Sequence, residues 1–159
     1  MKTKVLGFGA LFVVLASVWY ANLKSDYVPR FQIDDLSGVR VTESVFKNGG
    51  VLHFFRTSCG YCVRELNIWD DIQNEYPDLA VVTVILGESE QKARFFFTDY
   101  NPFTHVAMDS SDALWSSLGS DYGYIPFTLV VDKSRRVVAR FGSLNEDNIE
   151  SFKQHLDQL

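Results

Sequence analysis

The sequence predicts an α/β domain with a mixed central sheet, preceded by one N-terminal transmembrane helix. Three observations predict it. Strand-length apolar runs alternate with amphipathic helical runs through the middle of the chain, the pattern of parallel strands joined by helices. The chain then closes on two consecutive strands joined by a polar turn, "FTLVVD" and "RVVARFG", and a last helix; that hairpin is antiparallel and makes the sheet mixed. The first 24 residues differ in kind, holding a run of nineteen residues without a charge.

That run is Val5 to Leu23, "VLGFGALFVVLASVWYANL", behind Lys2 and Lys4 and ahead of Lys24. As a helix rising ~1.5 Å per residue it reaches roughly 28 Å, close to the ~30 Å hydrocarbon core of a bilayer. A cleaved signal peptide is the rival, and it needs small residues at its cleavage site. Trp19 and Tyr20 near the end of the run suit an interfacial aromatic belt better. The expectation is an uncleaved signal anchor over residues 1–24 and one domain over 25–159. Two lysines and the amino terminus outweigh Lys24, so the front end stays cytoplasmic. The chain is then a single-pass protein of the inner (cytoplasmic) membrane, its domain facing an oxidising compartment such as a bacterial periplasm. Beyond residue 24 there are 12 basic and 20 acidic residues, a net charge of −8. That argues against nucleic acid as a partner, since phosphates demand a basic face.

The elements follow in order. "FQIDDLSGVRVTES" reads as two short strands around a turn at Ser37-Gly38. "GGVLHFF", Gly49 to Phe55, is an apolar run of strand length and resembles a buried central strand. Past the cysteines, Cys62, Leu66, Trp69, Ile72 and Tyr76 recur at helical spacing until Pro77 stops the helix. "LAVVTVIL", Leu79 to Leu86, is a second buried strand. A helix over Glu90 to Tyr100 ends before Pro102; of Phe95, Phe96 and Phe97 at least one must face out, because adjacent residues cannot share a helix face. "THVAMD" gives a short strand, and "SSDALWSSLG" a helix capped by Asp109 or Ser110 and stopped by Gly119. After the hairpin, Ser143-Leu144-Asn145-Glu146 has the form of a capping box for a helix with Ile149, Phe152, Leu156 and Leu159 on one face.

The chemistry-bearing stretch is "TSCGYCVREL", Thr57 to Leu66, which holds the only two cysteines. A zinc site needs four ligands, or three and a water, and His53, His105 and His155 show no ligand spacing around the pair; no metal is expected. A structural staple closing a two-residue loop would restrict the unfolded chain little. At a strand-to-helix junction, free amides and the helix dipole favour a thiolate on the first cysteine, with the second one turn inward. The pair reads as a redox centre.

From Pro29 onward the chain resembles the thioredoxin superfamily, most closely the membrane-tethered TlpA-like branch that includes ResA and the CcmG/DsbE reductases. "FQIDDLSGVRVTESVFKNGGVLHFF" matches that branch's N-terminal hairpin and first central strand. "CGYCVREL" stands for its CxxC, two residues, Glu, apolar pattern, and "YGYIPFTLVVDKSRRVVARFG" for its cis-proline loop and closing hairpin. The resemblance implies a thioredoxin-like fold with an N-terminal β-hairpin and a helix–strand insert between Leu86 and Asp109. It implies Cys59 as nucleophile, Cys62 as resolving thiol, and Pro126, after Ile125, as a cis-proline whose loop offers backbone to an extended substrate. Gly60, Tyr61 and Ile125 are then expected at the substrate-binding surface. Glu65 falls at an acidic residue thought to assist proton transfer, although a solvated first-turn carboxylate would account for it equally.

The branch implies a protein-disulfide reductase, anchored in the membrane and serving cytochrome c maturation. Its substrates would be protein disulfides such as those of apocytochrome c, and its electron donor a membrane thiol reductant of the DsbD/CcdA kind. No cofactor is implied, and the expectation is a monomer. A disulfide oxidase or isomerase of the same fold is the alternative, or a copper- or haem-handling binding module. Three departures bear on the details. His53 stands at the buried position where thioredoxins carry Asp and this branch often Asn, and is either a hydrogen-bonded core residue or a proton shuttle. Arg56, Thr57 and Ser58 replace the usual tryptophan-containing lead-in. Gly60-Tyr61 is the dipeptide of the isomerase DsbC, not the proline-containing one common in reductases. The anchor is checked by intact mass: membrane-fraction protein should retain Met1 to Leu23, and an N-terminus near Lys24 would refute it.

Overall fold

The structure is a computed structural model in which residues 26–159 are described. The predicted membrane helix lies outside them; among the described residues no helix is long and apolar enough to cross a membrane. The chain opens with the hairpin, β1 (Gln32–Asp34) against β2 (Arg40–Thr42), and one turn of 3₁₀ helix at Glu43–Phe46. Next come β3 (Gly50–Phe55), the helices α1 (Gly60–Arg64) and α2 (Leu66–Glu75), and β4 (Val81–Ile85). The insert is α3 (Glu90–Phe96) and β5 (His105–Met108). Then follow α4 (Ala113–Leu118), β6 (Phe127–Val131), β7 (Val137–Phe141) and α5 (Ile149–Leu156).

The five-stranded sheet runs β5-β4-β3-β6-β7. β4 and β5 lie parallel to β3, while β6 is antiparallel to both β3 and β7. All six residues of β3 are buried, which is why its sequence shows no alternation: both faces are covered. On one face Val51 and Phe55 pack with Trp69 and Ile72 of α2 and with Phe152 and Leu156 of α5. On the other, Leu52 and Phe54 pack with Leu114 and Leu118 of α4 and with Val41 and Phe46 near the hairpin. The hairpin is tied to the β5 edge by the Leu36 amide on the Val106 carbonyl, 2.7 Å, and by the Asp35 carboxylate 2.8 Å from His105 Nδ1.

Element identities follow the sequence; several ends do not. The helix after the cysteines is interrupted at Glu65 (ψ 0°), which closes α1 and opens α2. The helix expected to reach Tyr100 ends at Phe96, where the Thr98 hydroxyl turns back onto the Arg94 carbonyl at 2.8 Å. Phe95 stands exposed and Phe97 is buried, as adjacency demands. Asp109 does cap α4, but from a distance: its carboxylate accepts the Leu114 amide at 2.7 Å while Asp112 takes a left-handed φ of 51°. The expected capping box at Ser143–Glu146 is absent. The Ser143 hydroxyl and Leu144 amide are both given to Glu65, and Asn145 and Asn148 make the turn into α5.

Gly50 marks where β3 approaches the chain most closely. A Cβ there would lie 2.6 Å from the Ala80 carbonyl oxygen and 3.0 Å from Phe46 Cδ1. Gly50→Ala should therefore cost about 1–3 kcal/mol, the usual penalty of overpacking. Urea unfolding measures it, and an unchanged midpoint would show that this approach can relax freely.

Candidate active site

β3 ends at Phe55, and the turn Arg56–Ser58 closes with the Cys59 amide on the Arg56 carbonyl at 3.1 Å. Cys59 therefore becomes the N-cap of α1, in extended backbone, and its Sγ accepts the Cys62 amide at 3.3 Å. The sequence produces this locally because a fully buried strand, apolar but for His53, gives way to a polar turn and then to helical spacing. Both cysteines are free thiols, Cys59 half-buried and Cys62 fully buried. Burial pushes the Cys62 thiol well up, and its contact with Cys59 adds to the rise.

Opposite the pair lies the segment before β6. The Ile125–Pro126 peptide is cis, and the Ile125 carbonyl oxygen is 3.7 Å from Cys59 Sγ, the thiol donating. Pro126 is buried and Ile125 half-buried. Gly60 is exposed, and Tyr61, 63% exposed, lies under the Arg64 guanidinium at 4.3 Å. The structure thus sets Cys59 against the Ile125–Pro126 segment, with Gly60 and Tyr61 exposed just after it in the chain and Cys62 buried.

Glu65 lies beneath them and is not a solvated first-turn carboxylate. It is 1% exposed. Its carboxyl accepts the Leu144 amide at 2.9 Å, the Ser143 hydroxyl at 3.2 Å and the Trp69 indole N–H at 3.3 Å. Burial outweighs these donors and pushes Glu65 up to about 7. His53 Nε2 stands 3.3 Å from Glu65 Oε1, and His53 Nδ1 is 3.0 Å from Thr128 Oγ1. That is ion-pair distance to Glu65, but burial drives His53 down to about 3, so the ring is neutral and Nε2 has no well-directed hydrogen bond. His53 is a core residue whose ring lies tilted among those of Trp69, Phe103 and Phe55.

Sequence reasoning missed the groups that position this site. Trp69, Thr128, Ser143 and Leu144 surround the buried pair, and Glu88 grips the turn before Cys59. Thr128, Ser143, Leu144 and Glu88 meet their partners only through the fold, and the Trp69 bond to Glu65 is local but hidden in ordinary helical spacing. Among the described residues no three metal-ligating side chains cluster. The arrangement can do thiol–disulfide chemistry: a reachable sulfur, a buried sulfur one turn behind it, and a carboxyl that holds or releases a proton near neutrality.

Fold and site together define a thiol:disulfide oxidoreductase of the thioredoxin superfamily. The chain belongs to the Redoxin family, which it matches over residues 23–156. Curated proteins give no match. Among solved structures it is similar to a protein from Chlorobium tepidum assigned as the thiol:disulfide interchange protein DsbE, with TM-score 0.71 and 22% identity over 85% of this chain and 96% of that one. It is also similar to a secreted Mycobacterium tuberculosis disulfide oxidoreductase homologous to E. coli DsbE, at TM-score 0.67 and 16% identity over 81% and 96%. The exposed lipoprotein thioredoxin of Streptococcus pneumoniae gives TM-score 0.67 and 24% identity over 82% and 100%. At these identities the likeness shows a shared fold.

The opposite shifts at Glu65 and His53 make stability depend on pH. Below about 4.5 the Glu65 carboxyl is protonated in folded and unfolded chains alike; as pH rises towards about 7 only the unfolded chain ionises, so stability is lost. His53 runs the other way, its contribution recovering from about 3 to 6.5. Glu65→Gln removes only the first arm. The variant should gain on the parent protein between pH of about 4.5 and 7, by on the order of 3 kcal/mol. Urea unfolding of the reduced full-length chain reads this, and parallel curves would mean that Glu65 is ionised in the fold.

Proposed function

We propose that the protein is a membrane-anchored, periplasmic reductase of specific protein disulfides, such as the haem-binding cysteine pairs of apocytochrome c. One observation carries the reading: Cys59 is the half-exposed sulfur, held against the Ile125 carbonyl, with Cys62 fully buried one turn behind. The similarity to proteins described as DsbE and as a disulfide oxidoreductase supports the same chemistry. The N-terminal apolar run and the net charge beyond it support an anchored domain acting on protein and not on nucleic acid.

Cys59, as thiolate, attacks one sulfur of the substrate disulfide; the other leaves as a thiolate and takes a proton. The mixed disulfide binds substrate backbone along Ile125–Pro126 and contacts Gly60 and Tyr61. Cys62 must then lose its proton to attack Cys59 Sγ, and its burial makes that loss costly. Glu65, three residues on and titrating at about 7, is the group placed to receive it. Attack by Cys62 releases the reduced substrate and leaves the Cys59–Cys62 disulfide. Two electrons from a membrane thiol donor of the DsbD/CcdA kind restore the dithiol. The protein works as a monomer and needs no cofactor.

Cys62→Ser removes the resolver and keeps the attacking thiol, so mixed disulfides with substrate should accumulate and be released by reductant. Cys59→Ser should accumulate few, since the remaining thiol is buried. The trapped partners name the substrate class: cytochrome precursors support this reading. No trapped partner, in cells where the variant is expressed and membrane-bound, would remove protein disulfides as the substrate.

A further inference from the structure

The turn that leads β3 into Cys59 is gripped by one carboxylate from a different part of the chain. Glu88, in the loop after β4, accepts the Thr57 amide at 2.8 Å and the Thr57 hydroxyl at 2.9 Å. It also accepts the Ser58 amide at 3.3 Å and the Ser58 hydroxyl at 3.0 Å. Lys92 Nζ approaches Glu88 Oε1 to 2.5 Å from the first turn of α3. A second strap runs beside it, where Arg56 Nε donates to the Leu86 carbonyl at 3.1 Å. The Glu88 side chain is only 4% exposed, against 52% for Lys92. Burial opposes ionisation of Glu88, but the bonds from Lys92, Thr57 and Ser58 outweigh it and hold the carboxyl down at about 2.

Two consequences follow for the neighbouring sulfur. A permanent negative charge sits against the residues just before Cys59. It also occupies the amides of Thr57 and Ser58, which would otherwise be free donors beside a thiolate. Both effects work against the thiolate, hence against the dithiol form relative to the disulfide. A couple whose reduced form is stabilised is oxidising, and one whose reduced form is disfavoured is reducing. Lys92 opposes the carboxylate with a charge of the other sign.

We propose that Glu88 is a positioning residue that both fixes the Arg56–Ser58 turn and biases the Cys59–Cys62 couple towards the reducing side, with Lys92 limiting the bias. The inference deepens the reductase reading and rests on Cys59 being the attacking thiol. It also assigns work to the departure seen in sequence, where Arg56, Thr57 and Ser58 stand in place of a tryptophan-containing lead-in: the three supply the donors that Glu88 and Leu86 accept.

The test uses two variants of the purified full-length chain. Glu88→Gln keeps size and one carbonyl acceptor and removes the charge; Lys92→Met removes the opposing charge from a side chain that is half exposed. In glutathione redox buffers, Glu88→Gln should shift the dithiol–disulfide equilibrium about threefold towards dithiol, the order that one partly screened charge exerts. Iodoacetamide should modify Cys59, identified by peptide mass, faster by a similar factor. Lys92→Met should move both readouts in the opposite direction. A residue that only held the turn would lower the melting temperature and could not give shifts of opposite sign. Shifts of the same sign, or none in Lys92→Met, overturn the proposal even if Glu88→Gln folds poorly. A wild-type pair that does not exchange with glutathione at all overturns the functional reading and this inference with it.

Discussion

Six consecutive buried residues in β3 must find partners for every backbone amide and carbonyl, and the molecule is arranged around that demand. Parallel pairing places Ile85 beside Phe55, so both strands finish at the same edge and the loop after β4 emerges next to the cysteine turn. Antiparallel pairing places Phe127 beside Phe54, so the start of β6, and with it Ile125–Pro126, arrives at that edge from the other side. The two groups that flank Cys59, the Ile125 carbonyl and the Glu88 clamp, are therefore delivered by the two neighbours of a single strand. A one-residue slip in either ladder would turn inward-facing residues outward and carry these groups away from the sulfur. The same register sets His53 opposite Thr128, which gives a buried imidazole its one hydrogen-bonding partner.

Two glutamates show how burial and neighbours together decide the charge of a carboxyl. The Glu65 residue is 1% exposed and the Glu88 side chain 4% exposed, so desolvation presses on both. Glu65 is pushed up to about 7 and Glu88 down to about 2. Glu88 collects four donors from Thr57 and Ser58 and a cation from Lys92, enough to offset the cost of a buried charge. Glu65 has three uncharged donors, and its nearest ring, His53, stays neutral. The outer carboxylate is thus a fixed charge that shapes the turn, whereas the inner one can change its protonation near neutral pH.

Much of this was legible in the sequence because it depends on short-range pattern. Continuous apolar runs marked β3 and β4, helical spacing marked α2, and the cysteines stood where one pattern gave way to the other. The adjacency of Phe95, Phe96 and Phe97 was enough to place one of them outside. What could not be read depends on meetings between distant residues. Ser143 to Glu146 has the spacing of a capping box, but Glu65, 78 residues away, takes the Ser143 hydroxyl, and the helix starts later at Ile149. Continuous helical spacing hid the break at Glu65, because a break keeps the apolar residues on one side while freeing a carboxyl to turn inward. Glu88 reads as an ordinary polar residue before a helix until β4 brings it to Thr57, 31 positions away.

His53 is explained by the same inner carboxyl. Thioredoxins, which the chain resembles, carry an acid at this buried position. Here the side chain at 53 reaches within 3.3 Å of Glu65 Oε1. An Asp at 53 would bring a second carboxyl to that dry site, and two carboxyls sharing a site cannot both ionise; one is forced far up and the protons belong to the pair. An imidazole held neutral by burial adds no second charge beside Glu65, and its tilted contact with the Trp69 ring, centroids 4.9 Å apart, gives it an apolar role. The carboxyl of this site stands instead between α1 and α2, three residues past Cys62. Substituting Asp for His53 while keeping Glu65 is therefore not a restoration of the thioredoxin pattern in this chain. It would crowd two acids where the fold has room, and donors, for one.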